Sequence, residues 1–333
     1  MSTAHLTQAA DKASVTLDME RQHGREAMLQ LPGAADIFVE NHRPARAHAM
    51  GLDDTSTLKL SPRLVHCSMT GYGRGGDLEN APAYDVIIEA SAGIMMLTGT
   101  EETGPLRTGA PIMNHSVALA ATFAISAALY EREKTGRGTF IDVSMLETAS
   151  TLMSSTIADY TATRRPPKPR GNAANSRSPG AGSFPCRDGM LSLGVNEECQ
   201  FHALAKGLGR EAWLRDPRFT ERCARAAHAD ALEEEIIRAL SLKTADEWEG
   251  DLLANGVPVA KIRSLPESLH HAHTKARGFV HQDKGTGLGV PTLPFRLGQT
   301  AQHRPRTSAP TLGEDTDKVM RDLTRWTEMG AKR

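Results

Sequence analysis

Short apolar runs that end in polar or glycine-rich loops, alternating with segments of helical period, constrain this chain more than any other feature. "ASVTLDM" reads as a strand and "QHGREAMLQL" as a helix; "ADIFVENHRP" and "PRLVHCSMTGYG" are strands that run into loops, and "TFIDVSMLETASTLM" supplies another strand and helix. This alternation predicts parallel βα units, in which ligands meet the loops at the carboxyl ends of the strands. The loops "ENHRP" and "TGYGRGG" are therefore candidate ligand contacts.

Between these units "YDVIIEASAGIMMLTG" reads as one apolar helix in which Gly93 marks a close approach to other backbone. After a turn-rich loop, "GAPIMNHSVALAATFAISAALYEREKTGRG" opens a long helix whose inner face carries Val117, Ala120, Ala121, Ala124, Ile125, Ala128 and Leu129, stopped by Gly136 and Gly138. The polar pair Asn114 and His115 stands at the mouth of that helix. Asn is a favourable N-cap, so Asn114 reads either as a cap or as a working residue. For His115 a surface or packing role competes with that of a general base.

At 333 residues the chain is long enough for a large domain and a second one. The proline, glycine, serine and arginine content of residues 163–183 places a boundary there, and a compact mixed module follows, with "GMLSLGV" as a strand and "EECQFHALAKGLG", "DALEEEIIRALSL" and "ADEWEGDLLANG" as helices. Residues 281–312 are again rich in proline and glycine, before a final capped helix, "GEDTDKVMRDLTRW". With 39 basic against 40 acidic residues and 5% aromatics, a nucleic-acid surface is not favoured. Cys67, Cys186, Cys199 and Cys223 form no C-x-x-C pair, which fits a reducing compartment and argues against zinc; no metal site is expected. The opening residues lack an apolar signal core, and no stretch is read as approaching the roughly 18 apolar residues of a membrane span. A cytoplasmic protein with a small-molecule partner, and with neither nucleic acid nor membrane, is the expectation. The Walker A, zincin and nucleophile-elbow motifs are missing from the sequence.

The order of the stretches "ADIFVENHRP", "SPRLVHCSMTGYGRGG", "PAYDVIIEASAGIMMLTG", "TGAPIMNHSVALAATFAISAALYEREKTGRGTFIDVSMLE", "NGVPVAKIRSLPE" and "APTLGEDTD" resembles the family III CoA-transferases (CaiB/BaiF), from about residue 13 to the end. The resemblance implies an α/β fold: a Rossmann-like large domain made from both chain ends (1–180 and 300–333), a smaller mixed α/β domain (181–299) and an interlocked dimer. It implies CoA and acyl-CoA as substrates, no covalently bound cofactor, and a small carboxylic acid as the other partner. In such transferases an aspartate attacks the thioester and forms a mixed anhydride, which released CoA reopens.

That nucleophile lies three residues after the loop proline, which here is Asn114 counted from Pro111. An amide is a far weaker nucleophile than a carboxylate, so activity is expected to be low or altered. Asp85, near the same pocket, is weighed as a substitute nucleophile. The resemblance assigns Asn41, His42, Arg43, Gly71, Tyr72, Ala83 and Tyr84 to the coenzyme pocket, with Arg46 a further phosphate contact. His42 and Ala49 replace a Phe and an Arg common in the family, and Glu89 replaces a frequent Gln. The glycines 71, 73, 75 and 76 either admit pantetheine or pyrophosphate against backbone or form a plain turn. Tyr84 stands where racemases of the group carry a His, which disfavours racemization. The chain is also read as starting after the family's first strand, loop and helix. Two readings follow: a transferase, acting as a homodimer or as a heteromer with a full-length homologue, or a non-catalytic CoA-binding partner subunit.

Overall fold

The computed structural model describes residues 2–173, 178–298 and 307–330. It divides into two compact units, Met1–Lys168 with Gly278–Arg333, and Pro169–Arg277. The first division falls inside the proline- and glycine-rich stretch 163–183, earlier than the 180/181 limit read from sequence. The second division falls at 277/278, earlier than the expected limit at 299/300, which itself lies outside the described residues, as do residues 174–177 of the first stretch.

In the first unit β1 (Ile37–Glu40), β2 (Val65–Thr70) and β3 (Thr139–Ser144) form a parallel sheet in that order. The register sets Glu40 opposite Ser68, and Ser68 opposite Asp142. β2 is buried along nearly its whole length because it is flanked on both sides. One face of the sheet presents Cys67 and Val143 to Val117 and Ala121 of the Ile112–Thr135 helix. The residues assigned to the inner face of that helix are buried or half-buried.

The "REKTGRG" stretch has a physical explanation. Gly136 takes φ +71° to end the helix, and the backbone at Gly138 passes so close that a Cβ there would lie 1.9 Å from the Leu64 carbonyl oxygen. Buried Arg132 donates to the Asp36 and Arg63 carbonyls at 3.2 and 3.1 Å and pairs with the Asp36 carboxylate at 3.3 Å. It thereby holds together the segments that lead into β1 and β2.

Three local expectations are corrected. "ASVTLDM" is not a ladder strand: Ser14 N–H donates to the Asp315 carboxylate at 2.9 Å and Thr16 N–H to the Thr316 hydroxyl at 3.0 Å, so side chains of the C-terminal segment take the place of a neighbouring strand. The apolar stretch 85–98 is two helices, Asp85–Ala92 and Ile94–Thr98, broken at Gly93 with φ +87°. Open space surrounds Gly93, so backbone conformation rather than close packing requires glycine there. The Ile112–Thr135 helix is also long and apolar enough to cross a membrane, with a mean hydropathy of 1.5 over its best window, contrary to the sequence reading. Scattered Asn, His, Ser and Thr among many alanines masked it. Only 22% of that window is buried.

The C-terminal helix, Thr316–Gly330, starts three residues later than read, because Thr311 and Glu314 form their own turn first. A short hairpin, Val280–Gln282 with Gly289–Pro291, also belongs to the first unit. The second unit packs an antiparallel sheet of Ala181–Pro185, Met190–Gly194 and Val259–Lys261 with helices Glu198–Gly207, Ala229–Leu240 and Ala245–Ala254. Its core centres on Phe201, Trp213, Phe219, Ile236 and Trp248.

Gly138→Ala is expected to lower stability by about 3 kcal/mol, at the upper end of overpacking costs, since backbone must move to admit the methyl group. Gly250→Ala, in a helix with open space around it, should be neutral or stabilise by up to about 1 kcal/mol. Urea unfolding midpoints compare the two.

Candidate active site

The Ile112–Thr135 helix begins on Pro111, which offers no side-chain cap. Asn114 is thus the third helical residue and not the N-cap, which corrects the capping reading. The helix starts early because Met113, fully buried against Ile88 and Ala149, draws the first turn into the core. The N–H groups of a first helical turn lack intrahelical acceptors. For Asn114 the acceptor comes from 29 residues away: its N–H donates to Asp85 Oδ2 at 2.9 Å. Asp85 is itself the first residue of the Asp85–Ala92 helix, so one carboxylate stands at two helix starts, where a negative charge is favoured. Among the described residues, the Asn114 side chain makes no hydrogen bond. Its amide carries no capping duty.

Tyr84, Asp85, Glu89, Arg107, Thr108 and Asn114 line a cleft of about 240 Å³. Glu89 is 1% exposed, and both of its oxygens are occupied: Thr108 N–H donates to Oε2 and the Thr108 hydroxyl to Oε1, each at 2.8 Å. Two residues earlier, Leu106 N–H donates to the Met95 carbonyl at 3.1 Å. The stretch 106–108 is anchored at both ends, and Arg107 between the anchors is exposed. Sequence reading missed Arg107, because a single arginine in a turn-rich loop carries no periodic or motif signal.

The other residues assigned to the coenzyme pocket divide into two groups. Tyr72 and Ala83 pack on the Ile88, Met113 and Ala149 cluster beneath the cleft, while Tyr84 is 75% exposed. A Cβ on Gly71 would lie 2.2 Å from that of Ala83, so this glycine is required by contact, whereas Gly75 and Gly76 have open space. Asn41, His42 and Arg43 follow β1 and are not among the residues lining the cleft. The buried Glu40 carboxylate accepts from His42 N–H at 2.6 Å. Burial pushes the Glu40 carboxyl up, but His66, Ser68 and the His42 N–H beside it hold it below its usual range. Asn80 ties this loop to the glycine loop, accepting from Arg43 at its carbonyl (3.3 Å) and from Ala45 N–H at Oδ1 (2.8 Å). Arg46 and Ala49 are exposed on the next short helix, Pro44–Ala49, and so is His115 beside Asn114. Among the described residues, no group of three or more His, Cys, Asp or Glu side chains is placed to hold a metal ion.

In chemical terms the cleft holds a carboxamide free of other duties, a phenol, a guanidinium, two helix starts and two carboxylates, Asp85 with one oxygen engaged and Glu89 with both.

Comparison with known proteins agrees with this architecture. The profile of CoA-transferase family III matches residues 1–316. The chain is 31% identical over 304 residues to the acetyl-CoA:oxalate CoA-transferase of Acetobacter aceti, covering 91% of this chain and 77% of that one. It is 30% identical over 319 residues to the succinate–glutarate CoA-transferase of Agrobacterium fabrum, covering 94% and 78%. A crystal structure of a CAIB/BAIF family protein from Brucella suis superposes with a TM-score of 0.84 at 26% identity, over 97% of this chain and 84% of that one. The mixed α/β fold is that of these structures, and the chain belongs to CoA-transferase family III, enzymes that transfer CoA between carboxylic acids.

Proposed function

We propose that this chain moves CoA between small carboxylic acids at the cleft beside Asn114, with a rate limited by the amide at the nucleophile position. The observation that carries the reading is the geometry of Asn114: third in its helix, its N–H capped from Asp85 and its side chain unengaged in the cleft. The relatives named for oxalate, succinate and glutarate support small carboxylic acids as the substrate class. Coenzyme A is proposed to lie along Asn41, His42, Arg43, Gly71, Tyr72, Ala83 and Tyr84.

The chemistry of an aspartate at this position defines what the amide lacks. A carboxylate oxygen bonds to the thioester carbon, the C–S bond breaks, and CoA leaves as thiolate; the thiolate then attacks the enzyme carbonyl of the mixed anhydride and releases the first acid. The second acid repeats these steps in reverse. Asn114 provides an N–H donor for an oxyanion but no anionic oxygen to open the sequence. Asp85 is a weak substitute, since one of its oxygens already accepts the Asn114 N–H.

A dimer is part of the proposal. Leu119, Phe123 and Tyr130 on the outer side of the Ile112–Thr135 helix are 63%, 79% and 67% exposed, a surface more apolar than water favours. A second copy, or a homologue of this chain, is proposed to cover it. The four free cysteines fit the cytoplasm as the place of action.

Sedimentation velocity is expected to give a dimer at micromolar concentration, with an interface well above the standard size of about 1,600 Å²; a stable monomer would contradict it. Asn114→Asp is expected to raise transferase turnover by more than about a hundredfold, or about 2.7 kcal/mol of barrier. CoA affinity in both forms should be micromolar or weaker, near −8 kcal/mol. A wild type that turns over while Asn114→Asp yields no activity would show that residue 114 is not at the chemistry. If both forms are inert yet bind CoA, the partner-subunit reading takes over.

A further inference from the structure

We infer that Asn80 is a positioning residue for the coenzyme: it fixes the loop after β1 against the loop after β2, so that the two loops receive one ligand together. The inference rests on the coenzyme pocket proposed above and names the residue that assembles it.

Three observations carry it. The first is connectivity. β1 and β2 are neighbours in the parallel sheet, and residues 41–43 and 71–72 leave their carboxyl ends, where such sheets bind ligands. Among the described residues, two hydrogen bonds join segment 41–49 to segment 71–84, and both end on Asn80. Arg43 Nη1 donates to its carbonyl at 3.3 Å, and Ala45 N–H to its Oδ1 at 2.8 Å.

The second is the use of the amide from both ends. Ala45 is the second residue of the Pro44–Ala49 helix, whose first turn receives no side-chain cap from Arg43, so its N–H needs an acceptor from elsewhere. Asn80 Oδ1 supplies it. On the other side Asn80 Nδ2 donates to Glu79 Oε1 at 3.1 Å, while Glu79 Oε2 accepts from Gly75 N–H at 2.9 Å. Glu79 therefore gathers the glycine loop, and Asn80 joins it to the β1 loop. This junction needs a donor and an acceptor on one short side chain, which a carboxamide has.

The third is exposure. Asn80 stands at the surface, so its hydrogen bonds add little to the stability of the whole fold. They order the loop all the same: buried Glu40 holds its start through the His42 N–H at 2.6 Å, and Asn80 holds its end. A loop ordered before the ligand arrives lowers the conformational cost of binding.

The test is calorimetric titration of the whole chain with free CoA, beside urea unfolding of each protein. Asn80→Leu keeps the net charge and removes both side-chain bonds; it is expected to weaken CoA binding about tenfold, with an unfolding midpoint close to that of wild type. The double variant Glu79→Gln with Asn80→Asp also keeps the net charge. It exchanges donor and acceptor between the two positions and leaves an acceptor for Ala45 N–H, so affinity should return to within about threefold of wild type. Unchanged CoA affinity in Asn80→Leu, a double variant as weak as Asn80→Leu, or a loss of affinity matched by a clear fall in the unfolding midpoint would overturn the positioning role and leave the coenzyme pocket standing. If wild type itself binds no CoA, the pocket reading fails and this inference fails with it.

Discussion

The hydrogen bond from Asn114 N–H to the Asp85 carboxylate governs the arrangement of the site. Each of the two helices involved begins without a side-chain cap of its own. A single carboxylate placed where both start satisfies one orphan donor and meets two positive helix ends. The consequence reaches the chemistry: because Asp85 does the capping, residue 114 is released to face the cleft. A nucleophile at this position would have a helix start beside it to favour its charge, and with asparagine the same place presents a neutral amide.

Everything beneath the cleft keeps that contact in register. Met113 and Ile88, fully buried in one cluster, hold the two helices together one residue away from Asn114 and three from Asp85. Gly71 permits the β2 loop to touch Ala83, just before the Asp85 helix, and at the far end of the long helix Arg132 and Gly138 fix it to the strands' entry segments. Glu89 organises the loop on the cleft's other wall. These contacts leave the cleft little freedom to collapse, so a substitution at residue 114 would be made in a standing scaffold. Restoring a carboxylate requires almost no change of volume.

Much of this was legible in the sequence. The runs at 37–40, 65–70 and 139–144 announced the parallel strands, and the long apolar segment announced its helix and inner face, because burial of one side imposes its period on the residues. What escaped depended on contacts distant in the chain. Asn114 looked like a cap since asparagine commonly is one, and nothing local reveals a carboxylate supplied from residue 85. Gly93 looked like a packing glycine, but only backbone dihedral angles show that it breaks a helix. "ASVTLDM" had a strand's composition without a strand's neighbour. Arg107 had no pattern at all; it lines the cleft because Leu106 and Thr108 on either side of it are held by distant groups. The assignment of residue 114 to the nucleophile position, by contrast, came from family resemblance and the proline count, and the residue lines a cleft.

The most direct measurement is peptide-mapping mass spectrometry of Asn114→Asp after incubation with an acyl-CoA such as succinyl-CoA, quenched in acid. The account predicts an acyl or CoA adduct on the peptide that carries residue 114, labile to hydroxylamine as an activated carboxyl should be, and no such adduct at residue 114 in the wild type. An adduct on Asp85 instead, or none anywhere in a variant that still binds CoA, would contradict the claim that residue 114 stands where the covalent chemistry takes place.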